Sequence, residues 1–99
     1  YNMVDNESSN YVKAAIYYAL LKIDGFQSGV YQRLIRLLDV PGANAPAADF
    51  LMELSFPQAL DYLVLIRNGS NSPQLKRNIN FVIYALRNKN RMSYLNREM

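Results

Sequence analysis

Leu75, Ile79, Val82, Ile83 and Leu86 stand at i, i+4, i+7, i+8 and i+11, a spacing that an α-helix gathers onto one face and a strand would scatter over two. The stripe runs for about three turns, so the rest of the fold must supply an apolar bed for it. Ser72-Pro73 marks where this helix begins. Serine is a preferred N-cap, and proline suits the first helical position because its missing N–H would have no partner there in any case.

The remaining segments fit around that helix. Tyr11 to Ile23, YVKAAIYYALLKI, carries charge only at Lys13 and Lys22 and is apolar around nearly the whole helical wheel, which is expected of a helix sandwiched inside a bundle. Ser8, Ser9 and Asn10 are suitable caps ahead of it, and Asp24-Gly25 is its stop. Val30, Leu34, Leu37 and Leu38 form the apolar side of a second helix, with Gln32, Arg33 and Arg36 opposite, and Pro41-Gly42 ends it. The stretch on to Pro46 reads as a flexible small-residue loop. A short helix is predicted over Ala47 to Leu54, followed by a new start at Ser55-Phe56-Pro57. Phe56, Leu60, Leu63 and Val64 are the expected buried stripe of that helix, with Asn68-Gly69 as a left-handed stop.

No useful strand-like alternation and no hairpin signal interrupts this pattern. The fold class is therefore all-α, a compact bundle of about five short helices. Residues 1–9 are expected to be a flexible N-terminal segment, residues 10–89 a single helical domain, and residues 90–99 a basic C-terminal tail or an extension of the last helix. At 99 residues with 51% hydrophobic content, the chain can bury one core.

The chain contains neither cysteine nor histidine. That removes disulfides, thiol nucleophiles, imidazole metal ligands and the side chain most often used to move protons near neutral pH. The expectation is a protein without catalytic activity, metal or cofactor. No apolar run reaches the 18 or so residues of a membrane span, and an intracellular location, cytoplasmic or nuclear, is expected. With Tyr1 first and no signal-peptide pattern, the sequence reads as a piece of a longer chain.

The net charge of +3 is unevenly placed. Residues 1–70 carry five bases (Lys13, Lys22, Arg33, Arg36, Arg67) against seven acids, whereas residues 71–99 carry six (Lys76, Arg77, Arg87, Lys89, Arg91, Arg97) against Glu98 alone. With the Leu75–Leu86 stripe set near 0° on the wheel, Lys76, Arg87, Asn80, Arg91, Tyr84 and Arg77 fall between about 100° and 200°. The last helix thus presents a basic face with a tyrosine at its centre. Arginine offers paired donors to carboxylate or phosphate and tyrosine offers a ring to pack against, though every surface helix also needs a solvated side.

Gly29-Val30-Tyr31-Gln32-Arg33-Leu34-Ile35-Arg36-Leu37-Leu38 resembles the second helix of an armadillo repeat, and Ser55 to Leu65 resembles a degenerate copy. Gln74 to Asn88 is similar to the third helix of such a repeat, with Tyr84 where tryptophan is usual and Asn88 at the asparagine position. The resemblance implies right-handed armadillo/HEAT-like helical packing, and a groove in which Tyr84 and Asn88 hold an extended peptide by its main chain. Phe50 to Leu86 also resembles the N-terminal helical domain of transcription elongation factor TFIIS, although the turn Leu54-Ser55-Phe56-Pro57 lacks that family's glycines and Leu86 replaces its tryptophan. Both families are helical modules that bind segments of partner proteins.

Other signals are weaker. Asp49 and Glu53, four apart, read as solvated carboxylates. Tyr11, Tyr17, Tyr18 and Tyr31 share helices with the apolar stripes and read as core and boundary residues. The segments Tyr18–Gly25 and Tyr62–Gly69 repeat a helix-end pattern at a spacing of 44 residues.

Three readings follow. The first is a non-catalytic interaction module that takes a peptide or helical segment, acidic in character, on Lys76, Arg77, Asn80, Tyr84, Arg87, Asn88 and Arg91. The second is a nucleic-acid-associated protein of viral, replication or transcription type, with Lys76, Arg77, Arg87, Lys89, Arg91 and Arg97 on phosphates. The third is an oligomerising domain whose first helix meets a second copy.

Overall fold

The computed structural model describes the backbone of residues 10–98 and the side chains of residues 10–89. The expected N-terminal segment 1–9 lies outside the described residues. Among the described residues five α-helices follow in order, α1 (Asn10–Asp24), α2 (Ser28–Arg36), α3 (Asn44–Glu53), α4 (Ala59–Gly69) and α5 (Pro73–Glu98), with a 3-10 turn, Leu37–Asp39, after α2. No strand occurs among the described residues. None of the described helices is long and apolar enough to cross a membrane.

α5 behaves as its sequence dictates. Leu75, Ile79, Val82, Ile83 and Leu86 are all buried, and the Ser72 hydroxyl accepts the Leu75 N–H at 3.1 Å, so serine does cap the helix ahead of Pro73. The helix rests on α3, α4 and the 3-10 turn. Asn78 fixes the last of these contacts, its side-chain amide donating to the Leu38 carbonyl at 2.6 Å across 40 residues of chain.

Two glycines close turns as the sequence predicts. Gly25 (φ 83°) and Gly42 (φ 84°) both occupy the left-handed region that side chains avoid. Gly69 does not: it is the last residue of α4, with extended backbone beginning at Ser70. The two segments spaced 44 apart therefore end their helices differently, and they also present different sides inward. Leu21 is buried whereas its counterpart Leu65 is exposed.

Two further expectations give way to packing. The stretch before Pro46 is not an open loop, because α3 already begins at Asn44 and Ala43 and Ala47 are both fully buried. Small side chains let α3 approach the core closely, and Pro46 lies in the first turn, where an N–H has no helical partner to lose. α4 starts at Ala59, later than the proline suggests, and buries Ala59, Leu63 and Ile66, with Leu60 and Val64 only half-buried. Phe56 belongs to the preceding turn, where it joins an aromatic cluster.

That cluster ties four parts of the chain together. Phe26, from the α1–α2 turn, lies 5.3 Å from each of Tyr31, Phe56 and Tyr62, ring centre to ring centre. Tyr31 completes it, 5.9 Å from Phe56 and 6.5 Å from Tyr62, in edge-on arrangements that suit the ring quadrupoles.

α1 departs furthest from its sequence. It packs on α2 and α3 but is not sandwiched: Ala14 and Leu21 are buried, while Tyr11, Leu20 and Ile23 are exposed. Tyr18 holds it in place, stacking on Phe50 at 4.5 Å and donating its hydroxyl to the Glu53 carboxylate. Lys22 pairs with the same carboxylate at 3.7 Å.

Candidate functional site

The buried stripe of α5 fixes what the opposite side shows to solvent. Lys76, Arg77, Asn80, Tyr84, Arg87 and Asn88 are all exposed. Arg91, the seventh residue expected on this face, has its side chain outside the described residues, as does Arg97. From Pro73 to Lys89 the helix contains no acidic residue, so the positive field of this face is not cancelled along its own length.

The basic side chains are not equivalent. Arg77 donates from Nη1 to the Gln74 side-chain oxygen at 3.2 Å, an exposed bond within one turn that a ligand can displace. Asn80 is already engaged, accepting from Arg67 Nη1 at 2.9 Å. That bond brings a further guanidinium from α4 to the edge of the face, which the wheel of α5 alone does not reveal. Lys89 does not join the face. Its ammonium reaches the Met52 carbonyl (3.2 Å), the Glu53 carbonyl (3.5 Å) and the Ser55 hydroxyl (3.3 Å), so it serves the C-terminal end of α3, where helix carbonyls are left over and the dipole is negative.

The residue that sequence reasoning missed is Phe81. It is 58% exposed, beside Tyr84 at 67%. Phe81 follows Arg77 by four residues and precedes Tyr84 by three, so Arg77, Phe81, Tyr84 and Asn88 form a continuous ridge along the helix. The signal was present, since the wheel puts Phe81 beside Asn88 at the rim of the polar side. An aromatic residue there reads as core until its neighbours are known. Two large rings thus stand side by side in water on a cationic face.

The face is convex. Two hollows lie elsewhere on the molecule, and neither is lined by the predicted residues. One, of about 510 Å³, runs between α2 and the α4–α5 turn, past Gln32, Arg36, Asp39, Leu65 and Ser70. The other, of about 220 Å³, is a mostly apolar notch bounded by Leu54, Phe56, Pro57, Leu60 and Leu86.

Asp49 and Glu53 are exposed, and Glu53 is occupied by Tyr18 and Lys22. The bond to Glu53 holds the Tyr18 hydroxyl above its ordinary pKa, with desolvation and the carboxylate charge acting in the same direction. No group of three or more carboxylates able to hold a metal occurs among the described residues. Tyr31 is fully buried, and burial pushes its hydroxyl pKa upward.

Comparison of the chain with protein-family models, with curated proteins and with solved structures finds no match in any of the three.

Proposed function

We propose that this chain is a non-catalytic helical interaction module that binds a peptide or helical segment of a partner protein, acidic in character, along the outer face of α5. The observation that carries this reading is the ridge of Arg77, Phe81, Tyr84 and Asn88, exposed on a helix with no acidic residue from Pro73 to Lys89. Rings supply apolar contact area at low entropic cost, and the flanking Lys76 and Arg87 select carboxylates. The same proposal takes the bundle to layer its helices in the right-handed manner of armadillo and HEAT repeats. Tyr84 and Asn88 then serve as the pair that holds a peptide main chain, supported by their exposure four residues apart on one side. An intracellular location, cytoplasmic or nuclear, belongs to this reading.

The exposed Phe81–Tyr84 pair also favours a second reading. Adjacent aromatic rings on a basic surface can stack the bases of a single-stranded nucleic acid. Salt dependence separates the two. Phosphate contacts by Lys76, Arg77, Arg87, Arg91 and Arg97 would give a log–log affinity slope of about −4.5, at about 0.9 per contact, whereas a peptide seated on aromatic rings gives a much shallower one.

The test is a pull-down from native extract with the unaltered chain and with Arg87→Glu/Arg91→Glu, each with and without nuclease. Salt titrations of the purified complex follow. One protein partner that persists through nuclease and is lost on charge reversal supports docking on α5. Recovered material that vanishes with nuclease replaces that reading with nucleic-acid binding.

A further inference from the structure

The buried stripe of α5 has a twin. Val12, Ile16, Ala19, Leu20 and Ile23 of α1 stand at i, i+4, i+7, i+8 and i+11, the spacing of Leu75 to Leu86, yet they face away from the core. Ala14 and Leu21 define the inward side of α1, and at 3.6 residues per turn the five lie on the other side of the helix. Ile23 is 79% exposed and Leu20 37%, Ala19 is exposed, and Val12 and Ile16 are half-buried. A second surface thus has the pattern of a helix seam and no partner within the described residues.

The charges at its edges say what covers it. Lys22, on one edge, is already paired with Glu53 at 3.7 Å. Lys13 and Asp24 share the other edge, about 20° apart on the wheel and separated by three turns. Lys13 has no ion-pair partner among the described residues, and Asp24 accepts only a long 3.5 Å bond from the Gln27 amide. An antiparallel helix related by a two-fold axis through the middle of the stripe brings Lys13 of each copy beside Asp24 of the other. It does so twice, in the manner of flanking charges in a coiled coil. A parallel two-fold pairing sets this edge against the opposite one, where Lys13 meets no acid of α1 and Asp24 meets only Lys22, already paired with Glu53. An anionic lipid surface would repel Asp24.

We propose that α1 is a self-association surface, pairing antiparallel with α1 of a second copy through Val12, Ile16, Ala19, Leu20 and Ile23. The stripe is only about 16 Å long at 1.5 Å per residue, well short of the roughly 800 Å² per partner of a standard stable interface. The dimer is therefore weak and reversible. α1 lies on α2 and α3, while α5 lies on α3, α4 and the 3-10 turn, so pairing through α1 does not use the face assigned to docking.

Sedimentation equilibrium of the full chain from about 10 µM to about 1 mM tests this, a range that brackets micromolar to millimolar affinity. The mass is expected to rise from 11.4 kDa toward twice that value. Leu20→Glu/Ile23→Glu should remain monomeric throughout with unchanged far-UV helix signal, since both side chains are exposed. Lys13→Asp should weaken association about tenfold by reversing two exposed ion pairs, and Lys13→Asp/Asp24→Lys should restore it. A mass that stays at 11.4 kDa at every concentration overturns the proposal. So does a dimer that survives Leu20→Glu/Ile23→Glu, a charge swap that fails to restore association, or a monomer that sediments with phosphatidylserine-containing vesicles through this stripe.

Discussion

Tyr31→Phe should make this protein more stable. The Tyr31 side chain is 0% exposed, and its hydroxyl has no hydrogen-bond partner among the described residues. An unpaired buried polar group costs about 1–3 kcal/mol of desolvation. Removing one oxygen leaves a void on the order of 10–15 Å³, worth about 0.3 kcal/mol at the usual penalty per unit volume. The ring contacts to Phe26, Phe56 and Tyr62 do not depend on the hydroxyl. The net gain is about 1–2 kcal/mol, which for a domain of this size raises Tm by roughly 5–10 °C. Urea titration followed by far-UV circular dichroism should show a higher midpoint with an unchanged slope.

Alkaline pH sharpens the same test. Burial raises the folded-state pKa of Tyr31 above its ordinary 10.0, so the hydroxyl's contribution is unaffected below that pH. Above pH 10 the Tyr31 chain loses stability as pH climbs, because the unfolded chain releases this proton and the folded chain does not. The advantage of Tyr31→Phe should widen above pH 10, by up to about 1.4 kcal/mol per pH unit. A loss of 1 kcal/mol or more at neutral pH would refute the reasoning and place a bound water on the hydroxyl. A gap that stays constant above pH 10 would show that Tyr31 ionises equally in both states.

Asn78→Ala should cost about 1–3 kcal/mol in the same titration, because it leaves the Leu38 carbonyl without the 2.6 Å bond that anchors α5 to the 3-10 turn. Ser72→Ala should cost about 1 kcal/mol through loss of the cap on Leu75. Two glycines should respond with opposite signs: Gly42→Ala destabilises by about 1–2 kcal/mol, all of it backbone, since nothing lies within 4 Å of the added methyl. Gly69→Ala, at a helical position without positive φ, should stabilise by about 0.5–1 kcal/mol. Equal losses at both glycines in thermal melts would restore the left-handed stop at Gly69.

The sequence by itself determined the helical class, the inward side and the cap of α5, the turns at Gly25 and Gly42, and the basic outer side on which Lys76, Arg77, Tyr84, Arg87 and Asn88 are exposed. In each case polar and apolar residues mark opposite sides, or a backbone conformation admits essentially one residue type, so the local pattern leaves one solution. Tertiary structure decided the rest. α1 is apolar on nearly every side, and its orientation was set by α2 and α3 together with the Tyr18–Glu53 and Lys22–Glu53 contacts. α4 carries leucine, valine and isoleucine in succession, so several rotations bury similar area, and the aromatic cluster around Phe26 accompanies the one adopted. Lys89, grouped with the bases of the phosphate reading, reaches instead the carbonyls at the end of α3. Periodicity fixes an angle only where one side of a helix is forbidden to water or to the core, and elsewhere the neighbouring surface chooses.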